Sequence, residues 1–545
     1  MFPRSELLRA HPIFLLEVSW GSYVYRFATK PVHLLDNGVY LPFVGHLDNP
    51  QYAEQSELLG LDIEEKSVPL ALYFSGVNIA LEEMRGNTIE GSKAELSYIL
   101  EDIHTDYDER VILAQGVISQ PIYGHPDRPV EYVECSLEST SIVNAIGLLP
   151  AQNVRYTLTE DTDPSITLND RNKGKILPIV FGAFRFIDGT EIYTIPSYFI
   201  YSPVLGTIYM TISCTHVLST TGKLTDTKNN IDTGDVQQTG RRQEEKVLLY
   251  SQIEISPSVT VESPTTNQDI EYWVFIEEGM ASPYSDGVLT GGGDLCLWAL
   301  TVSGVDVDYD AWYNARHFLN EYKFAGIITD DTVTGLDFIQ QEIIPYLPIE
   351  IVLGNNGLSP RLNLMVEGVN TTPTEHITAG SVFFRSGPVL PLTEPQDICN
   401  SVTVYFSWYG LKQAYFGTVF VGSDQPAELR NLSNESVQEY SIISQSKYGL
   451  KHKVLELNYV YDYSTASRIA QEYIRFNSMP RLGITYKAVG YYGWLQVGDI
   501  IELTDSDISI DRQKAQIVSK RWQETHWEFV LELEINHISN EKRLI

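Results

Sequence analysis

Trp527-Glu528-Phe529-Val530-Leu531-Glu532-Leu533-Glu534-Ile535 sets the fold class. Trp527, Phe529, Leu531, Leu533 and Ile535 alternate with Glu528, Val530, Glu532 and Glu534. A period of two describes a strand with one face on a core and the other toward water. Just upstream, Gly498-Asp499 separates the run Gly493-Trp494-Leu495-Gln496-Val497 from Ile500-Ile501-Glu502-Leu503-Thr504, which predicts a hairpin. The chain therefore closes on a small antiparallel barrel or sandwich.

The same texture extends toward the N-terminus. Phe14, Leu16 and Val18 alternate, Trp20-Gly21-Ser22 turns, and Tyr23, Tyr25 and Phe27 alternate back. Asn37-Gly38 suits a type I′ hairpin turn. Strands are predicted at 57–74, 93–100, 109–119 and 129–138, with a short helix near 77–85 carrying Val77, Leu81 and Met84. Residues 140–172 read as loop and mark a boundary. Ile176 to Gly182 is a short apolar strand, and more strands run through 192–215 and 246–280. Between them 216–246 is polar, which predicts a mobile loop, and Gly291-Gly292-Gly293 a second flexible point.

Near 312 the pattern changes. Trp312, Ala315, Phe318 and Leu319 predict a short helix, Phe324 to Ile328 a strand, and Leu336, Ile339, Ile343 and Leu347 a helix interrupted by Pro345. A hairpin follows across Asn355-Asn356-Gly357, and 369–395 reads as a Pro- and Thr-rich linker. Strands resume at Val402 to Phe406. The strongest helix spans 465–478, capped by Ser464, with Ala466, Ile469, Ala470, Tyr473 and Ile474 on one face. The fold class is mainly β with small α+β parts, arranged as several antiparallel β-barrel or sandwich domains.

Composition bounds the function. At 545 residues the chain is too long for one core, and about 150 residues per domain gives three or four. The 71 acidic against 38 basic residues give a net charge of −33, which repels nucleic acid and anionic membranes. The 33 tyrosines outnumber Phe and Trp together, as suits half-buried β surfaces and interfaces, or sugar stacking. Cys135, Cys214, Cys296 and Cys399 form no C-x-x-C pair and read as buried, reduced thiols. Met1 to Glu6 lacks a signal peptide's apolar core, and no run of about 18 apolar residues occurs, so synthesis in a cytoplasm without a membrane anchor is expected.

Motifs of catalysis do not emerge. The 11 histidines show no metal-ligand spacing, and His526 reads as a strand-edge residue. No nucleophile elbow, phosphate loop or dinucleotide fingerprint is present. Asp306, Asp308 and Asp310 open like a calcium loop, but Ala311 and His317 stand where glycine and glutamate are needed, so a strand with an acidic outer face is the reading. Asp505, Asp507 and Asp511 make a similar acidic loop with nothing further to support calcium. Acidic residues are too numerous for spacing to single out a hydrolytic pair. No catalytic, cofactor-binding or metal-binding residue is assigned, and the chain is expected not to be an enzyme.

The order of segments resembles phage baseplate and tail-tip hub proteins. Ala466-Ser467-Arg468-Ile469-Ala470, Leu495-Gln496-Val497-Gly498-Asp499 and Ile500 to Asp505 are similar to the helix, turn and strand of that family's closing domain, and Asn400 to Val404 to its opening strand. Residues 12–140 resemble the tube-like β domain of tail-tip proteins in siphophage tails and gene transfer agents. Lys175 to Gly182 is similar to their "Pro-x-Val-Tyr-Gly" strand, with Phe181 for Tyr. Residues 216–310 match nothing in it.

The residue pattern divides the chain into four domains, 1–145, 146–311 β with the polar loop, 312–385 small α+β, and 386–545 with helix 465–478 and a C-terminal barrel; the resemblance implies that the first is tail-tube-like and the last hub-like. It implies a virion protein of the tail tip, forming a homotrimeric ring that adapts a sixfold tube to a threefold central fibre or spike. Its partners would be a distal tail or tail-tube protein on one side and the fibre or spike on the other. DNA would pass at ejection without specific binding, past a negative lumen. The alternative is a glycan-binding or glycan-hydrolysing receptor-binding tail component.

Overall fold

The computed structural model describes residues 9–55, 67–74, 77–124, 131–138, 149, 178–184, 278–328, 333–354, 357–362, 373–409, 413–422 and 435–533, with the backbone of strands between 167 and 277. Contacts divide the chain into two interleaved units, where the sequence reading has four consecutive segments. The first holds 1–144, 349–394 and 480–545; the second holds 145–348 and 395–479. The segment 312–385 is thus divided after Pro348, and 386–545 after Glu394 and again after Met479.

In the first unit, β1 (Pro12–Trp20) and β2 (Tyr23–Ala28) pair across Gly21, whose φ is 61°. With β5 (Gly45–Leu47), β7 (Ser67–Tyr73), β8 (Lys93–Leu100), β9 (Val111–Tyr123) and β10 (Tyr132–Glu138) they close a barrel in the order β1-β2-β5-β7-β10-β9-β8. The predicted alternation is present, and β1 is buried on both faces. Phe14, Leu16, Val18 and Trp20 enter the main core, while Ile13 and Leu15 enter a smaller one with Leu34 and Phe43. That second core lies under the hairpin of β3 (Val32–Asp36) and β4 (Val39–Phe43), which turns at Asn37 and Gly38, both with positive φ as a type I′ turn requires. Helix α1 (Ile79–Met84) forms as expected, capped by Asn78, but it buries Ile79 and leaves Leu81 and Met84 exposed. Fewer than two turns give it too little inward surface for three apolar side chains.

A second sheet of several strands belongs to this unit as well. It runs β24 (Glu375–Thr378), β30 (Ile500–Asp505), β31 (Ile510–Gln523), β32 (His526–Leu533), β29 (Leu482–Ala488), β25 (Phe383–Pro391), with β6 (Ala53–Gln55) added beside β31. Strands β24 and β25 fall in the segment read as a linker; Pro391 ends the edge strand β25, a place where proline costs no ladder bond. β24 joins β30 in parallel, so the closing sheet is mixed and its path is open at β24 and β25.

The turn at Gly498 exists, with φ 88°, but it is not a hairpin: Gly490–Trp494 is a 3-10 helix, and β30 pairs with β31. Gly493 lies so near the Trp527 indole that an added Cβ would sit 2.5 Å from its nitrogen, and that nitrogen donates to the Gly490 carbonyl. Coiling over the ring replaces pairing. In β32, Trp527, Phe529, Leu531 and Leu533 are buried as predicted, while Glu532 is buried too, contrary to the water-facing reading. Ile535 lies outside the described residues.

The second unit carries several β sheets and most of the described helices. Strands β11 (Thr167–Leu168), β14 (Tyr198–Ser202), β15 (Thr207–Ser213), β19 (Leu249–Ile255) and β18 (Val236–Arg242) form one; β13 (Thr194–Pro196), β20 (Tyr272–Glu278), β16 (Ser219–Asp226) and β17 (Asn230–Ile231) form another. The 216–246 segment is therefore largely strand rather than loop. Backbone pairing with β19 and β20 suffices there without an apolar face, which composition cannot reveal. The apolar strand expected before Gly182 is β12 (Ile179–Phe181), paired with β21 (Gly326–Ile328).

Helices α2 (Gly292–Val302), α3 (Tyr309–Leu319) and α4 (Gly335–Glu342) pack together beside it. Gly291-Gly292-Gly293 is a rigid contact, not a flexible point. Gly291 caps α2, and Cβ atoms at Gly291 and Gly293 would meet Asn320 at 2.3 Å and the Arg316 backbone at 2.8 Å. Gly293→Ala is expected to lower stability by about 1–2 kcal/mol, overpacking outweighing the gain in helix propensity. Chemical denaturation would measure this; an unchanged midpoint would show that α3 shifts freely.

A further sheet sets β26 (Ser401–Tyr409) between β27 (Ala414–Val421) and β28 (His452–Glu456). Two helices follow from the same stretch, α5 (Glu435–Tyr448) and α6 (Tyr463–Asn477). Helix α6 presents Ala466, Ile469, Ala470 and Ile474 inward as predicted, but Asp462 caps it, accepting from the Thr465 amide at 2.9 Å. Ser464 instead donates to that carboxylate. Helix α5 escapes the sequence reading because its apolar residues follow no helical period.

Candidate functional site: an aromatic and carboxylate cluster

Three polar clusters among the described residues bear on a candidate site. The first is buried in the second unit. Asp294 of α2, 2% exposed, accepts from Asn320 Nδ2 at 2.9 Å, Ser285 Oγ at 2.9 Å and Ser282 Oγ at 3.2 Å, and faces Arg316 Nε at 3.3 Å. Every contact ties α2 to α3 or to the loop before it, so this is a structural knot. The second lies in the first unit. Glu532, 3% exposed, meets Arg481 Nη1 at 3.3 Å. Burial pushes its carboxyl up to about 7; Arg481 pulls it down and the buried Glu350 pushes it up. A solute has no approach to either carboxylate.

The third cluster is open to solvent and belongs to the second unit. Its base is the β26–β27 ladder. Val402, Val404 and Phe406 point into the core, so Thr403 and Tyr405 fall on the outer face. At Ser407 the strand breaks its rule. Its φ is 57°, in the left-handed region that a serine adopts at a cost of about 1–3 kcal/mol. Its amide donates to the Val460 carbonyl at 2.8 Å, and its buried hydroxyl has no partner among the described residues.

The consequence is placement. Residues three apart in an uninterrupted strand face opposite ways. Here the rings of both Tyr405 and Trp408 lie against Tyr415 of β27, stacked at 6.0 Å and tilted at 4.8 Å. All three rings are half-buried. Polar groups gather at the Tyr415 end. Its hydroxyl donates to Asn458 Oδ1 at 2.6 Å, and burial with the nearby Glu456 carboxylate pushes that hydroxyl up to about 12. Tyr346 donates to the Glu456 carbonyl at 3.4 Å. Glu342, the last residue of α4, is raised by burial and lowered by a hydrogen bond from Asn458.

Other sequence candidates separate. Asp308 is the cap of α3, accepting from the Ala311 amide at 3.0 Å, rather than part of a strand. Asp505 is buried and accepts from Tyr486 at 2.7 Å, with Arg385 3.7 Å away. No group of three or more His, Cys, Asp or Glu poised to hold a metal occurs among the described residues. His526 opens β32 with Nδ1 beside Thr525 Oγ1 at 3.1 Å. Cys135, Cys296 and Cys399 are buried free thiols, while Cys214 lies outside the described residues. Ser401 and His452 meet at 3.0 Å, but Ser401 is fully buried and the far ring nitrogen faces Thr403. No helix is long and apolar enough to cross a membrane among the described residues. The aromatic cluster is not legible in the sequence because its members come from four separated stretches and depend on the Ser407 conformation.

No family model matches the chain, and no curated protein matches it. Among solved structures it is similar to a chain of the virion of a native gene transfer agent particle, at TM-score 0.41 and 11% identity, covering 67% of this chain and 85% of that one. It is similar to the prophage tail protein gp18 from Listeria monocytogenes EGD-e at TM-score 0.35 and 8% identity, covering 97% of each. A 43 kDa tail protein of prophage MuSo2 from Shewanella oneidensis gives TM-score 0.27 and 10% identity, over 68% of this chain and 97% of that one.

Proposed function

We propose that this chain is a structural protein of a phage tail, acting at the tail tip as a hub that assembles into a threefold ring. The observation that carries the reading is the construction of the first unit. Its closed barrel and its C-terminal sheet share one hydrophobic core, with Phe14 of β1 against Trp522 and Trp527 at 5.1 and 6.3 Å. Segments some five hundred residues apart are thereby fixed as one rigid β body, which is what a wall under mechanical load needs. The order of segments in the sequence supports the same reading. The net charge of −33 suits a conduit past which DNA slides without sticking.

In this role the ring joins a tail-tube protein on one side and a fibre or spike on the other, and no bond is made or broken. Light scattering with mass determination on the purified chain, and electron microscopy of the particles that contain it, test the proposal. A threefold ring with a channel wide enough for duplex DNA is expected. A monomer at every concentration, together with particles lacking the ring, would overturn it. Binding of duplex DNA at physiological salt would remove the conduit role.

A further inference from the structure

We infer that the Tyr405–Trp408–Tyr415 face of the second unit is a binding platform for a neutral oligosaccharide, its hexopyranose rings stacked on the aromatics and its hydroxyls held by Asn458, Glu342 and Glu456. Three features carry this. First, the three aromatics are contiguous, and each is half-buried. Tyr405 and Tyr415 lie within 28° of parallel at 6.0 Å, and Trp408 packs on Tyr415 at 4.8 Å. Contiguous half-exposed rings offer the C–H face of a sugar a broad apolar contact.

Second, the polar rim is of the right kind. Beyond its bonds to Tyr415 and Glu342, Asn458 keeps a second lone pair and a second amide hydrogen, and the two carboxylates supply further acceptors, matching a ligand rich in hydroxyl donors. The Glu456 and Glu342 charges disfavour a phosphate or sialic acid, which is why the ligand is neutral. Third, the platform depends on a conformation that costs stability. Ser407 is held left-handed with its hydroxyl buried and unpartnered among the described residues, and only that conformation sets Trp408 beside Tyr405 on the same ring. Outliers of this sort concentrate at ligand sites, where the surrounding fold holds them for the sake of the side chain they aim. Nothing in the ring-forming role requires them.

The test is titration of the full chain with cellotetraose, maltotetraose and tetra-N-acetylchitotetraose by calorimetry, with saturation-transfer difference NMR to locate the contact on the sugar. At least one oligosaccharide is expected to bind, with its ring protons showing the transfer. Trp408→Ala and Tyr415→Ala should each weaken it about tenfold or more. Asn458→Ala and Glu456→Gln, at exposed positions that carry no core packing, should weaken it several-fold and keep the test open if an aromatic variant fails to fold. Binding unaltered in folded variants, no binding of any of the three sugars, or binding of tetramethylammonium in their place would each overturn the inference. The oligomeric state does not enter, so a monomer that binds sugar here would leave this inference standing and remove the ring.

Discussion

Replacing Leu531 with Asp should unfold the first unit. Leu531 is fully buried in β32, opposite Ile484 of β29 and Ile517 of β31, in the core shared by the barrel and the closing sheet. A carboxylate at that point has no cation to meet in the ladder and no water to solvate it. The cost, about 5 kcal/mol or more once the lost packing is added, is comparable with the whole stability of a domain. Thermal melting and limited proteolysis check it: cleavage should spread through 12–138 and 482–533 together, because they share one core. Leu531→Met, which keeps volume and polarity, should stay within about 1.5 kcal/mol of the parent. A folded Leu531→Asp protein with an unchanged melting point would mean that the alternation faces the other way.

The second large effect belongs to Glu532. Its carboxyl stands at about 7 in the folded chain, raised chiefly by burial, while in the unfolded chain it titrates at the ordinary value of 4.5. Between those values the folded state holds the proton more tightly, so stability falls as pH rises from about 4.5 through 7 and stays lower above. Glu532→Gln removes that loss, because the amide carries no charge to bury beside Glu350. The variant should match the parent near pH 4.5 and be more stable at pH 8, by up to about 3 kcal/mol. Urea denaturation at the two pH values measures the difference. A variant less stable at pH 8 would show that the Arg481 ion pair at 3.3 Å outweighs the cost of burying the charge.

What sequence could read was local and periodic. The alternations at Phe14–Val18 and Trp527–Leu533, the Asn37-Gly38 turn and the inward stripe of α6 were legible because burial on one face writes itself at period two or 3.6. The wrong readings share a cause, which is that glycine and polar residues are ambiguous without neighbours. Gly291-Gly292-Gly293 permits flexibility, yet α3 presses on it; Gly498-Asp499 permits a hairpin, yet Trp527 holds the preceding segment in a 3-10 coil. Residues 219–226 and 236–242 show no apolar face, yet neighbouring strands supply their backbone partners.

By itself, then, the sequence determined a mainly β protein with an acidic surface, its strands and one amphipathic helix placed by periodicity. Tertiary structure decided which strands meet. It put the first and the last described strands in a single core, split the C-terminal half between two units, and buried Glu532 on the face that alternation assigned to water. It also decided the candidate site, since only the left-handed turn at Ser407 lets Tyr405 and Trp408 share Tyr415. The reason is physical: a side chain's period is set by its own backbone, whereas pairing and convergence between distant segments depend on contacts that no local pattern records.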